Sequence, residues 1–101
     1  MPRPKEHPAV EADIKEAARR YEDGRPGLGG QFIDAVRAGM RGAERNPLRY
    51  AIRFADIRRL RLVRFPYSVW FFLQGETIFV LAVLHDKRDH REILAGRRSQ
   101  A

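Results

Sequence analysis

Two apolar segments lie close together in the second half of the chain. Residues 67–73 read Tyr-Ser-Val-Trp-Phe-Phe-Leu, and residues 77–84 read Thr-Ile-Phe-Val-Leu-Ala-Val-Leu. Only Gln-Gly-Glu separates them, which is the composition of a tight turn. Because apolar residues occupy successive positions, both faces of each segment are expected to be buried. These two segments therefore predict two central antiparallel strands. A third strand is predicted at residues 57–63, where Arg residues are mixed with Ile, Leu and Val.

The first half of the chain has helical periodicity instead. Its first apolar stripe consists of Val10, Ile14, Ala17, Ala18 and Tyr21. A second stripe consists of Phe32, Val36, Met40 and Ala43. Both stripes have the spacing of one helix face. Gly-Arg-Pro-Gly at residues 24–27 separates them, and Asn-Pro at 46–47 ends the second. This pattern predicts a helical hairpin over residues 9–45.

Helices that precede an antiparallel sheet are typical of an α+β fold. We expect one domain over residues 1–101, with the helical hairpin packed on a three-to-four-stranded antiparallel sheet at about 57–84. A short C-terminal helix is predicted at residues 89–95, and the basic tail at 96–101 is expected to fray. Pro2 and Pro4 cannot donate hydrogen bonds to a strand ladder. Residues 1–7 therefore form at most a short edge strand, which the sequence leaves open.

The chain is strongly basic. It has 20 Lys and Arg residues against 13 Asp and Glu residues, a net charge of +7, and 17 of the basic residues are Arg. A basic small domain favours an anionic partner, either a nucleic acid or an acidic protein segment. An arginine-rich surface without a specific partner is the alternative.

Several classes of site have no support in the sequence. The chain has no Cys, and His7, His85 and His90 lack the spacing of metal ligands. No phosphate-binding loop is present, so we expect neither a metal nor a cofactor. The N-terminus lacks the apolar region of a secretory signal, and the apolar run at 78–84 is too short to span a membrane as a helix. We therefore expect a cytoplasmic protein without membrane contact.

Arginines cluster in and after the predicted third strand, at Arg58, Arg59, Arg61 and Arg64. Arg59 and Arg61 share one strand face because side chains alternate along a strand. Together with Arg53 and Arg88, they would form a basic face on the side of the sheet away from the helices. Guanidinium groups on such a face bind phosphates or carboxylates. A solvated strand face that resists aggregation is an equally good interpretation.

His85 and the aromatic residues are further candidates. His85 follows the last central strand and would serve there as a general acid or base, or simply bond to the backbone. The aromatic set comprises Phe65, Tyr67, Trp70, Phe71, Phe72 and Phe79. Aromatic residues on central strands belong mostly to the core. Tyr67 and Trp70 are the two candidates for exposure.

The chain resembles the RelE/ParE superfamily of bacterial type II toxin–antitoxin toxins over nearly its whole length. The most specific segments are Arg-Phe-Pro-Tyr-Ser-Val-Trp-Phe at 64–71 and Ile-Phe-Val-Leu-Ala-Val-Leu-His-Asp-Lys-Arg at 78–88. His-Pro-Ala at 7–9, Ala-Ala-Arg-Arg-Tyr at 17–21, Asn-Pro at 46–47 and Ile-Arg-Arg at 57–59 also match. The resemblance implies a helical hairpin followed by an antiparallel sheet, in agreement with the order derived above.

The superfamily contains two mechanisms. RelE-like members are ribonucleases that cleave mRNA on the ribosome, whereas ParE-like members inhibit DNA gyrase without enzymatic activity. On the nuclease alternative, the resemblance implies catalytic roles for Arg58, Arg61, His85 and Arg88. However, Leu94 lies where a RelE-like Tyr is expected, and His90 and Ile93 stand where many relatives have Pro and Trp. These departures favour a ParE-like toxin, and the question of enzymatic activity stays open.

The resemblance also implies partners. A cognate antitoxin is expected to wrap around the toxin and form a hetero-oligomer with it, and DNA gyrase is the expected target. The ribosome with its mRNA is the alternative target, and an inactive relative that only binds the antitoxin is a third possibility. The predicted partner-binding residues are Arg58, Arg59, Arg61, Arg64, Tyr67 and Arg88.

Overall fold

The computed structural model describes residues 5–101. The helices are α1 (Ala9–Gly24), α2 (Leu28–Arg45) and α3 (Arg91–Ser99), and a short 3₁₀ helix follows α2 at Pro47–Arg49. The strands are β1 (Lys5–Glu6), β2 (Ile52–Phe54), β3 (Ile57–Arg61), β4 (Tyr67–Gln74) and β5 (Thr77–His85). This order confirms the predicted α+β fold, with a helical hairpin before an antiparallel meander.

The sheet has the strand order β1-β5-β4-β3-β2 within the described residues. The apolar strands β4 and β5 are interior, as predicted. The sheet extends beyond the predicted range at both edges, because β2 pairs antiparallel with β3, and β1 pairs parallel with β5. Lys5 and Glu6 thus form the edge strand that the sequence left open, while the predicted role of Pro2 and Pro4 lies outside the described residues. Both added strands are too short to carry a periodic signal.

Close contact between α1 and α2 depends on one glycine. A Cβ on Gly29 would lie 2.6 Å from the carbonyl oxygen of Ala18 in α1. The connection between the helices uses Gly27, whose φ of 89° lies in the left-handed region that favours glycine. The Glu22 carboxylate accepts hydrogen bonds from the N–H groups of Gly27 and Gly29. The start of α2 is therefore anchored to the end of α1.

The two faces of the sheet belong to separate cores. The hairpin covers the face that contains Leu60, Val69 and Phe71, and Phe32 of α2 is fully buried there. The other face contains Ile57, Trp70, Phe72, Leu81, Ala82 and Leu84 and is covered by α3 through Leu94. Because an apolar core occupies this second face, it is not the open basic face that the arginine pattern suggested.

The C-terminus also differs from the prediction. The basic tail at 96–101 was expected to fray, but α3 continues through Gly96 to Ser99. Leu94 is only 1% exposed, and Arg97 bonds to Asp13 of α1 with Nη1–Oδ2 at 2.6 Å. These contacts hold the last helix on the sheet. In the part of the chain described here, no helix combines the length and apolarity needed to cross a membrane.

Candidate functional site

A cleft of about 300 Å³ opens between α1 and the end of β5. We call it the α1–β5 cleft, and it is lined by Asp13, Glu16, Arg20, Tyr67, Val83, Leu84, His85 and Arg88. Three of these residues, Asp13, Glu16 and Arg20, lie on one stripe of α1, because side chains three and four positions apart share a helix face. Sequence inspection missed this stripe, although its spacing is visible beside the apolar positions of the helix.

Tyr67 places a hydroxyl in this cleft while its ring is buried. The residue is only 4% exposed, and its ring packs edge-on against Phe32 with centroids 5.0 Å apart. The Arg20 Nη2 group donates a hydrogen bond of 2.8 Å to the Tyr67 hydroxyl, and this bond raises the pKa of Arg20. The hydroxyl is the polar group that Tyr67 presents to the cleft, and it is already hydrogen-bonded to Arg20.

His85 also lines the cleft. Its ring contacts the Tyr67 ring edge-on, with centroids 5.1 Å apart. Its Nδ1 atom accepts a hydrogen bond of 3.1 Å from the Lys87 N–H group. This hydrogen bond to the backbone is typical of a histidine that stabilises the turn after a strand. Arg88 lies in the same turn and is exposed, and its guanidinium group has no ion pair or hydrogen bond within residues 5–101.

The four candidate nuclease residues do not form one group. Arg58 lies opposite Phe71 on the hairpin side of the sheet, and its Nη1 donates 2.7 Å to the Tyr50 carbonyl oxygen. Arg61 lies opposite Ser68, on the other face. His85 and Arg88 are brought together in the α1–β5 cleft, which contains neither Arg58 nor Arg61.

Arg59 belongs to a polar network at the edge of the α3 side. Its Nε donates to Ser68 Oγ and its Nη2 to Asp86 Oδ1, both at 2.9 Å. The Ser68 hydroxyl donates to the same Asp86 oxygen at 2.6 Å, and the Arg59 guanidinium lies 5.4 Å from the Trp70 ring centroid. Burial raises the pKa of Asp86, but the bonds from Ser68 and Arg59 outweigh it, so that the net pKa is lowered. Arg59 is thus occupied by its own chain.

Arg61 and Arg64 leave more of their surface available. The Arg61 side chain is 69% exposed, with its Nε 3.5 Å from Asp86 Oδ2. Arg64 is exposed, donates 2.8 Å to Gln31 Oε1 and lies over the Phe65 ring at 5.6 Å. Of the predicted partner-binding residues, Arg61, Arg64 and Arg88 are exposed, Arg58 and Arg59 are half-buried, and Tyr67 is buried.

Buried Trp70 and half-buried His90 form a ring pair that sequence inspection did not connect. Trp70 is 4% exposed, and its ring lies 5.1 Å from that of His90. Among residues 5–101, neither the Trp70 Nε1 nor the His90 ring nitrogens have a hydrogen-bond partner. Burial lowers the pKa of His90, and the charge of Arg59 lowers it further. Within residues 5–101, no cluster of three His, Asp or Glu side chains is arranged to hold a metal ion.

Comparison with known proteins identifies the family. The sequence profile of the ParE toxin of the type II toxin-antitoxin system, parDE, matches residues 5–90. A search of curated proteins finds no significant match. Among solved structures, a chain of the chromosomal ParDE TA system from P. aeruginosa is similar, with a TM-score of 0.71 and 19% sequence identity. The alignment covers 80% of this chain and 91% of that chain. At 19% identity, the structural likeness shows the fold alone. The sequence profile shows the family, because it matches most of the chain. The chain therefore belongs to the ParE toxin family of type II toxin–antitoxin systems.

Proposed function

We propose that this ParE-family chain inhibits DNA gyrase and is neutralised by a cognate antitoxin, with which it forms a hetero-oligomer. Membership of the ParE family is the observation that carries this proposal. The expected target lies in the cytoplasm, and no cofactor is needed for inhibition by binding. The exposed guanidinium groups of Arg61, Arg64 and Arg88 are the proposed contacts among the predicted partner-binding residues.

The arrangement of the candidate nuclease residues supports inhibition by binding over RNA cleavage. Cleavage at a phosphodiester requires a proton-transfer group and positive charge around the same phosphate. Arg58 and Arg61 lie on opposite faces of the sheet, and Arg58 is hydrogen-bonded to the Tyr50 carbonyl. Leu94 of α3, which lies where a RelE-like Tyr is expected, is 1% exposed in the core between α3 and the sheet. No aromatic hydroxyl is therefore available from that position.

The test is a DNA supercoiling assay with purified gyrase and increasing amounts of the chain. We expect supercoiling to fall with toxin concentration and to recover when the cognate antitoxin is added in equal amount. The triple variant Arg61→Ala/Arg64→Ala/Arg88→Ala should require a higher concentration for the same inhibition. A matched triple variant of the exposed residues Arg19, Arg25 and Arg41, which removes the same charge elsewhere, should behave like the original chain. Unchanged supercoiling at large toxin excess would refute the proposal.

The second candidate is ribosome-dependent mRNA cleavage, and one observation favours it. His85 and Arg88 share the α1–β5 cleft, which supplies a titratable ring and a free guanidinium group. If this reaction occurs, mRNA on translating ribosomes should be cut, and His85→Ala or Arg88→Ala should slow cleavage. If induction of the chain inhibits growth, supercoiling and translation to no measurable extent, the chain would instead be an inactive relative that only binds the antitoxin.

A further inference from the structure

Two large apolar side chains are exposed beside the outer strand of the sheet. Leu48, in the 3₁₀ helix, is 70% exposed, and Ile52, at the start of β2, is 51% exposed. Each would lose unfavourable contact with water if another chain covered it. Val63, the third large aliphatic residue that is exposed in the described part of the chain, lies in the loop after β3 and is not part of this surface.

Three arginines alternate with these apolar residues. Arg45, Arg49 and Arg53 recur every fourth position, and the latter two directly follow Leu48 and Ile52. All three are exposed, and none has a side-chain hydrogen bond or ion pair with the residues that the structure describes. We call these three arginines together with Leu48 and Ile52 the β2 edge surface. Unlike Arg58 and Arg59, its guanidinium groups are not occupied by this chain.

The backbone of β2 is also available on its outer side. β2 is the last strand in the sheet order, so that among residues 5–101 only β3 pairs with it. The Ala51 carbonyl oxygen accepts a hydrogen bond of 3.2 Å from the Arg59 N–H group. Because backbone groups alternate in direction along a strand, the N–H and C=O groups of the next residue, Ile52, point away from β3. An additional strand would find both groups unpaired within the sheet.

We propose that the β2 edge surface binds an acidic, strand-forming segment of the cognate antitoxin. The identity of this partner rests on the proposed function. The backbone of the segment would pair with Ile52, its apolar side chains would cover Leu48 and Ile52, and its carboxylates would pair with the arginines. Peptide addition to a sheet edge combines main-chain hydrogen bonds with side-chain selection in this way.

Other occupants match the surface less well. A second copy of the chain would bring Arg49 and Arg53 against the same residues, and like charges across a strand pair are destabilising. A nucleic acid would satisfy the guanidinium groups, since arginine binds phosphate well. It would leave Leu48, Ile52 and the strand backbone without suitable partners. An acidic polypeptide segment is the occupant that satisfies the charges, the apolar groups and the backbone together.

The first test measures binding of the full-length cognate antitoxin to the full chain by calorimetry at low and high salt. The variant R45E/R49E should bind at least about tenfold more weakly and lose most of its salt dependence, because the paired charges are reversed. The control R19E/R25E makes the same charge change at exposed arginines that have no side-chain partner in residues 5–101. Its affinity should stay within about twofold of the original chain, since it alters only the distant field.

A second pair of variants tests strand addition itself. I52P removes the outward N–H group at an edge position, whereas I52V retains both the backbone and the strand propensity. We expect I52P to weaken antitoxin binding strongly and I52V to leave it nearly unchanged, with thermal unfolding of both variants showing an intact fold. Equal antitoxin affinity for the original chain, R45E/R49E and I52P would overturn the inference. The inference would also be overturned if R45E/R49E bound duplex DNA more weakly than the original chain but bound the antitoxin equally well. These binding measurements contain no gyrase. A failure of the proposed gyrase inhibition would therefore be seen in the supercoiling assay, and a failure of this inference in the antitoxin affinities.

Discussion

Asp13 of α1 holds Arg97 of α3 through two hydrogen bonds, at 2.6 Å to Oδ2 and 3.0 Å to Oδ1. The Asp13 and Arg97 side chains are only 12% and 16% exposed, and Asp13 also accepts a bond from the Val83 N–H group. Arg97 donates further to the Leu81 carbonyl oxygen. This pair therefore joins the first helix, the last helix and strand β5.

Breaking this pair should destabilise the fold strongly. The substitution Asp13→Ala leaves the largely buried Arg97 without its partner, and we expect a loss of about 3 kcal/mol in the free energy of unfolding. Glu16→Ala, one turn further along α1, removes an ion pair with Arg20 whose side chains are 65% and 60% exposed. That control should cost less than about 1 kcal/mol. Urea unfolding of the two variants tests the difference, and similar losses would contradict it.

Leu94 provides an independent test that α3 is part of the core. Leu94→Ala removes a side chain that is 1% exposed against Ile57, Trp70 and Leu84. The expected loss is about 2–4 kcal/mol, from reduced apolar burial and the cavity left behind. Leu48→Ala deletes the same atoms from a residue that is 70% exposed, and should change stability by less than about 0.5 kcal/mol. If α3 were frayed in solution, the two variants would unfold alike.

Asp86 should make the protein sensitive to acid. Its pKa is raised by burial but lowered more by the bonds from Ser68 and Arg59, and the net shift is downward. A carboxyl group with a lowered pKa in the folded state stabilises the protein above its unfolded pKa of about 3.9. That stabilisation is lost as the pH falls through the lowered folded value.

The substitution Asp86→Asn should lower stability at neutral pH and flatten the loss below about pH 4. Chemical unfolding at a series of pH values measures both effects. Asp34→Asn, at an exposed position, is the matched control and should follow the original chain. An Asp86→Asn variant with the original slope in acid would contradict the assignment.

His90 should give a second, separate dependence on pH. Burial lowers its pKa and Arg59 lowers it further, while Asp86 and Asp89 act in the opposite direction. For a base whose folded pKa is lowered, stability is complete above the unfolded value of about 6.5 and declines as the pH falls through it. His90→Asn, which cannot titrate, should remove the decline between about pH 7 and pH 5.

The single tryptophan provides the measurement for His90. Trp70 lies 5.1 Å from the His90 ring, so its fluorescence should change when His90 becomes protonated or α3 separates from the sheet. In the original chain, that change should follow the decline in stability, and in His90→Asn it should be absent. A fluorescence transition that persists in His90→Asn would assign it to another group.

The sequence by itself determined the elements whose signals are local. The helical stripes of α1 and α2 and the two-sided apolar character of β4 and β5 are properties of consecutive residues, because each period reflects which side chains share a face. The resulting α+β order was correct, and so was the central position of β4 and β5 in the sheet. The resemblance over the segments at 64–71 and 78–88 also pointed to the correct family.

The tertiary structure decided which charged residues are available. Arg59 is occupied by Ser68 and Asp86, and Arg97 by Asp13, 84 positions away in the sequence. No local pattern indicates such pairs, because they depend on how helices and strands dock. The same reason explains why β2 and the full length of α3 were not predicted, and why the edge strand in residues 1–7 was left open. Each is stabilised by a neighbouring strand or sheet face that the chain creates only on folding.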